Sequence, residues 1–186
     1  MSTRRRQRGV SLIELIMFIV IVSVALAGIL LVMNVTTRNS ADPLVRKQAL
    51  AIAESLLEEV ELMPFTFCDP DDANAATATS PAACATTVEA IGPEPGETRY
   101  SNLTPFDNVN DYHGFDSVAD GGIKDISGGP IAALSGYSAS IDVSNATLPN
   151  VAAGDALLVR VTADGPGGLQ TIVEGIRTRY APRATP

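Results

Sequence analysis

Three hydrophobic patterns follow one another along the chain. From Val10 to Val35 the residues are almost continuously apolar, and Glu14 is the one charge among them. A helix over that run would span about 39 Å at ~1.5 Å per residue, more than the hydrocarbon core of a bilayer at roughly 30 Å. Its many Ile and Val residues are tolerated in a helix there, because lipid leaves the backbone no partner but itself. The polar Thr36-Thr37-Arg38-Asn39-Ser40 follows, and then Asp42-Pro43, which fits an N-cap and a first helical position. The helix is therefore expected to kink here, or to end and restart. From Leu44 to Met63 the apolar residues Val45, Ala49, Ile52, Ala53, Leu56, Leu57 and Val60 recur at helical spacing on one broad face. Glu54, Glu58, Glu59 and Glu61 fall mostly off that face, and Pro64 closes the segment. Such a face is expected to pack on a sheet of the same chain rather than on a partner.

The third pattern is alternation. Tyr137 to Val143, Ala156 to Ala163 and Leu169 to Tyr180 alternate and favour Val, Ile, Thr and Tyr, which predicts three strands. The "ADGPGG" stretch between the last two is turn chemistry for a hairpin. Between Phe65 and about Gly136 no period is clear, and Pro, Gly, Asn, Asp, Thr and Ala dominate, so long loops with short pieces of structure are expected. The densest aromatic patch, Pro105 to Phe115 ("PFDNVNDYHGF"), reads as a core plug under a long connection or as a surface recognition loop. Together the patterns give an α+β fold: a long hydrophobic N-terminal helix continues into an amphipathic helix, which packs on a small antiparallel C-terminal sheet.

Charge is distributed unevenly. The formal net charge is -8, yet Arg4, Arg5, Arg6 and Arg8 precede the apolar run with no acid beside them. Loss of residues 1–9 would remove four of the 13 basic residues and none of the 21 acids, taking the charge to -12. So acidic a body repels phosphate, and no nucleic-acid partner is expected. The basic cluster before the run places the N-terminus in the cytoplasm and the body on the outer face of the membrane. On that side Cys68 and Cys84, the two cysteines, suggest a disulfide closing the polar stretch between them, with free thiols as the alternative.

Little in the body points to chemistry. Asp69, Asp71, Asp72 and Asn74 suggest calcium, but Ala73 and Asn74 stand where an EF-hand loop needs an oxygen ligand and then Gly, so a solvated acidic loop is expected. His113 is the single histidine, which excludes a multi-histidine metal site. There is no Gly-x-Ser-x-Gly elbow, no phosphate-cradling Gly-Lys loop and no metal-spaced Cys/His set. Neither catalytic activity nor a cofactor is expected. Asn145-Ala146-Thr147 is a weak glycosylation pattern.

The N-terminus itself has three readings. A secretory signal would be shorter, and its small-residue cut site at Ala25-Leu26-Ala27 is followed by more apolar sequence instead of a polar mature chain. A plain membrane anchor gives Glu14 no role. The third reading rests on "RQRGVSLIEL", which resembles the processing motif of type IV prepilins: a basic leader, Gly9, a hydrophobic residue, then Ser-Leu-Ile-Glu. The resemblance implies cleavage between Gly9 and Val10 by a prepilin peptidase, N-methylation of Val10, and an assembly role for Glu14, the fifth mature residue. Most members begin with Phe, where this chain has Val10. "RKQALAIAESLLEEV", "FCDPDDANAATATS" and "FDNVNDYHGF" also resemble the MshD-like branch of MSHA-type pilus subunits.

On this reading residues 1–9 are a leader, 10–43 a transmembrane and assembly helix, and 44–186 an exported globular domain. The chain would be a minor pilin or pseudopilin of a type IV pilus-like filament or secretion pseudopilus, with other pilin subunits, the peptidase and the inner membrane as partners. It would move from the inner membrane to a pilus or periplasmic pseudopilus. The alternative is a single-pass anchored periplasmic binding module that forms no filament, and for Glu14 a carboxylate that merely snorkels to the interface.

Overall fold

The computed structural model describes Gly9 and residues 11–179, with the side chains of all of these except 36–42. The chain divides into two compact units, residues 1–44 and 45–186. One helix, α1 (Leu12–Leu62), runs from the first into the second. The expected restart at Asp42-Pro43 is not found, because both residues lie inside α1. Proline removes one backbone donor, so the Asn39 carbonyl has no i+4 N–H to accept, but the segments on both sides have their own reasons to be helical.

Within the first unit, Leu12–Val35 has a mean hydropathy of 3.2 and is long and apolar enough to cross a membrane. Its side chains are all exposed. The Ser23 hydroxyl donates back to the Ile19 carbonyl at 2.7 Å, so its polar group is satisfied within the helix.

In the second unit, the remainder of α1 lies across a three-stranded antiparallel meander of β1 (Ser138–Asn145), β2 (Ala156–Gly165) and β3 (Leu169–Thr178), in that order. Register explains the buried face. Ala139, Ile141 and Val143 of β1 lie opposite Ala163, Val161 and Val159 of β2, and all six are buried. They form one core with Ala49, Ile52, Ala53, Leu56 and Val60 of α1, the face that the helical periodicity predicts. On β3, Val173 continues that face opposite Val161, while Ile172 and Ile176 point to solvent. Gly175 lies opposite Val159 where α1 comes closest: a Cβ there would sit 2.3 Å from Glu61 Oε1 and 3.0 Å from Leu57 Cδ1. In the hairpin turn, Gly167 and Gly168 take φ of 78° and 77°, which is why "PGG" closes it.

The strands match the sequence reading to within two residues at their starts and C-terminal ends through β2, and Tyr180, the expected end of the third, lies outside the described residues. The long middle segment is mostly loop, with 3₁₀ turns at Pro81–Ala83, Val109–Tyr112 and Ala132–Leu134. The aromatic patch is a core plug. Val109, Tyr112 and Phe115 are buried, and Phe106 meets Tyr112 edge-on with centroids 5.1 Å apart. The chain after the plug covers the outer edge of β1: Gly114 N–H donates to the Ile141 carbonyl, Ile141 N–H to the Phe115 carbonyl and Ser117 N–H to the Ala139 carbonyl. An edge that would otherwise offer unpaired backbone groups is thereby closed.

Candidate functional site

The N-terminal site begins at Gly9, which is exposed. Val10, the expected new N-terminus and methylation position, lies outside the described residues. Ser11 directly precedes α1, and its carbonyl accepts the Leu15 N–H at 3.1 Å. Glu14 is the third residue of the helix and its side chain is exposed. Ser11 and Glu14 thus occupy the two positions of an S-x-x-E capping box, a helix-start signal that the reading of the apolar run overlooked. A carboxylate in the first turn also faces the positive end of the helix dipole. Both positions are ones at which a glutamate generally favours a helix start. Neither explains why an acid is kept in a surface otherwise suited to lipid, where Leu12, Ile13, Leu15 and Ile16 are all at least half exposed.

The body carries polar groups that hold its loops in place. Glu59, read as lying off the apolar face, is half-buried and grips Arg99 with both oxygens: Arg99 Nε donates to Oε1 at 2.7 Å and Nη2 to Oε2 at 2.5 Å. Tyr112 donates its hydroxyl to the same Oε1 at 2.9 Å. Burial, the largest single influence, opposes the guanidinium charge, but the hydrogen bond and charge of Glu59 together with Tyr100 outweigh it and hold the Arg99 pKa above its ordinary value. Burial, then the Glu59 charge, pushes the Tyr112 phenol up. Arg179, at the end of β3, lies over the Phe65 and Phe67 rings, pairs with Asp155 at 3.0 Å and donates to the Thr66 carbonyl. That latch fastens the last strand to the loop after α1.

Cys68 and Cys84 are joined in a disulfide, with Cα atoms 5.5 Å apart. Inside the loop they close, Asp72 is the organiser: its carboxylate accepts the N–H groups of Asn74, Ala85, Thr86 and Thr87 and the Thr86 hydroxyl. Those bonds, from Thr87, Ala85 and Asn74 foremost, hold its pKa well below the usual carboxylate range. Asp69 Oδ1 accepts the Asp71 N–H at 2.6 Å, and the Asn74 amide reaches the Ala83 carbonyl. The 69–74 loop therefore spends Asp72 and Asn74 on backbone groups, chiefly those of residues 83–87. His113 Nδ1 accepts the Val143 N–H at 3.3 Å and lies 3.4 Å from Asp142 Oδ1.

Other carboxylates converge instead, and spacing along the chain gave no sign of it. One oxygen from each of Glu89, Glu94 and Asp111 lies within 4.8 Å of the others; so does one from each of Asp69, Glu94 and Glu97, and from each of Asp69, Asp71 and Asp107. These three loop segments meet below the end of α1, where the Val109 N–H donates to the Pro64 carbonyl and the Glu89 N–H to the Phe67 carbonyl. Burial first, and then the neighbouring acids, push Glu89 up to about 10 and Asp107 to about 7. Burial likewise raises Glu97 to about 7.

No curated protein and no solved structure matches the chain. Residues 4–30 match the family model described as the prokaryotic N-terminal methylation motif. That match takes in the basic leader, Gly9, Glu14 and most of the exposed apolar part of α1, and with the α+β body behind it supports a type IV pilin-like subunit.

Proposed function

We propose that the chain is a minor pilin or pseudopilin, assembled into a type IV pilus-like filament or secretion pseudopilus through α1. One observation carries this: a methylation motif across residues 4–30 leads into a 24-residue apolar span of α1, Leu12–Val35, whose side chains are uncovered among the described residues. Cleavage after Gly9 would leave an amine at Val10, four residues before Glu14. In a packed filament the Glu14 carboxylate of one subunit then meets the Val10 amine of a neighbour among apolar helices. An ionisable residue in a membrane segment calls for such a partner.

The arginine leader supports a cytoplasmic N-terminus and a periplasmic body before assembly. The disulfide fits an oxidising compartment. The resemblance of "RKQALAIAESLLEEV" and "FDNVNDYHGF" to MshD-like subunits favours an MSHA-type pilus as the filament. Intact-mass measurement of the protein from its host tests the proposal. The expected species begins at Val10 and carries one added methyl group. Retention of Met1, or a start near Gly28, would remove the basis for filament assembly and leave an anchored binding module.

A further inference from the structure

Asp111 is fully buried, yet only one of its carboxylate oxygens is satisfied. Oδ2 accepts the Asp107 and Asn108 N–H groups at 2.9 and 2.7 Å, whereas Oδ1 is buried and has no hydrogen-bond donor among the described residues. Glu89 repeats the arrangement. Its Oε1 accepts the Asn110 side-chain amide at 2.8 Å, and its Oε2 is buried without a donor. Glu94 brings a third carboxylate within 4.8 Å of both, and also lies within that distance of Asp69 and Glu97. Basic side chains do not neutralise the group. The ion pairs among the described residues are Arg99–Glu59, His113–Asp142, Arg160–Glu174 and Arg179–Asp155. Arg179 feels the Glu89 charge, but its N–H groups go to Asp155 and to the Thr66 and Gly154 carbonyls. Buried acceptors facing one another need something positive between them.

We propose that Glu89, Glu94 and Asp111, extended by Asp69 and Glu97, form a calcium-binding site that ties the three loops below α1 together. All the donors are hard oxygens, which suits calcium or magnesium rather than a transition metal. Calcium accepts an irregular set of six to eight oxygens drawn from side chains, whereas magnesium demands a near-ideal octahedron and keeps several of its waters, so a site built mainly from loop carboxylates favours calcium. Calcium binds carboxylates in their ionised form, so its binding competes with protons at the site.

The test uses the full chain in detergent, stripped with EDTA and titrated with calcium or magnesium chloride up to about 10 mM, which covers the affinities of extracellular calcium modules. At a hundredfold excess over Kd, calcium is expected to raise the thermal midpoint by roughly 5–10 °C and to release protons into a weakly buffered solution. Asp111 also caps the 109–112 turn, so Asp111→Asn can fail for want of folding. Glu94→Gln avoids that: it should leave the metal-free midpoint unchanged or higher, since a like charge is removed, and weaken calcium binding at least tenfold. Exposed Glu54→Gln should leave calcium binding intact. No calcium-dependent shift, an equal effect of magnesium, or unaltered binding in Glu94→Gln would overturn the proposal.

Discussion

Glu59 on α1 and Arg99, forty residues later in a loop, form a two-pronged ion pair whose Arg99 side chain is only 6% exposed. The pair joins the helix to a segment with no secondary structure of its own. Tyr112 hydrogen-bonds the same carboxylate, and the Arg99 guanidinium lies 5.0 Å from the Tyr100 ring and 5.5 Å from that of Phe115. The plug, the loop and the helix therefore share one charged centre.

Removing one member of such a pair strands the other. Arg99→Met is expected to destabilise the body by about 3–5 kcal/mol, because Glu59 and the Tyr100 hydroxyl lose their common partner inside the protein. Glu59→Gln with Arg99→Met should cost less than the two single changes added together, by roughly 1–3 kcal/mol. Denaturant unfolding of the four species in detergent, followed by tyrosine absorbance, checks this. Strict additivity would mean that the loop is held by its apolar contacts alone.

The disulfide makes a separate prediction. Cys68 bridges to Val88 through its backbone, and Cys84 is the far end of the loop organised by Asp72, so the bond restrains the segment that leads into Glu89. Serine at both positions should cost about 3 kcal/mol, by the chain-entropy account for a loop of this length. Membrane insertion should be unaffected, because Leu12–Val35 satisfies its backbone without the body. Stability equal to that of the oxidised parent, by the same unfolding assay, would show that Asp72 alone holds the loop.

How far the sequence led differs from one element to the next. The second half of α1 was legible because Ala49, Ile52, Ala53, Leu56 and Val60 recur every three or four residues, and that period is set by one buried face. The strands were legible for the same reason at a period of two. The partner of Glu59 was not legible, since nothing local shows that Arg99 folds back onto it. The acid cluster was invisible for a deeper reason. Asp69, Glu89, Glu94 and Asp111 come from loops and a 3₁₀ turn, where no period links one residue to the next, and only the fold brings them together. At Asp42-Pro43 local cap chemistry left a kink or a restart open, and the restart is not found because α1 continues through both residues.

Acid stability should follow the cluster in metal-free protein. Burial and neighbouring acids raise Glu97 and Asp107 to about 7 and Glu89 to about 10, with Asp69, Asp71, Glu94 and Asp111 around them and Arg179 the nearby cation. In the unfolded chain these groups titrate near 4, so between about pH 4 and 7 the folded protein binds more protons, and stability falls as pH rises. Asp72 has the opposite sign: its depressed pKa contributes stability that is lost as pH falls below about 4. Thermal midpoints in EDTA should therefore be highest in mild acid and decline toward neutrality. A midpoint that rises from pH 5 to pH 8 would contradict the burial of these carboxyls.

Glu14 supplies the sharpest test of filament assembly. On insertion scales a central acidic residue in a membrane helix costs about 2.5–3.5 kcal/mol, and less toward the interface, where Glu14 lies two residues into α1. The capping-box position and the helix dipole offset part of that cost in the single subunit. A neighbour's Val10 amine can offset the rest, but only in the assembled state, so the carboxylate favours assembly over the free subunit. Glu14→Ala should consequently insert, be cut after Gly9 and retain its folded body, yet enter filaments poorly. Glu14→Gln separates the two roles, because the amide keeps the cap and loses the charge. If the ion pair drives assembly, Glu14→Gln fails as Glu14→Ala does; if helix capping is what matters, Glu14→Gln assembles normally. The measurement is this protein's share of sheared filaments beside its share of the membrane fraction. Equal incorporation of parent, Glu14→Ala and Glu14→Gln would make the carboxylate a passenger that snorkels to the interface, and the assembly role assigned to it would be wrong.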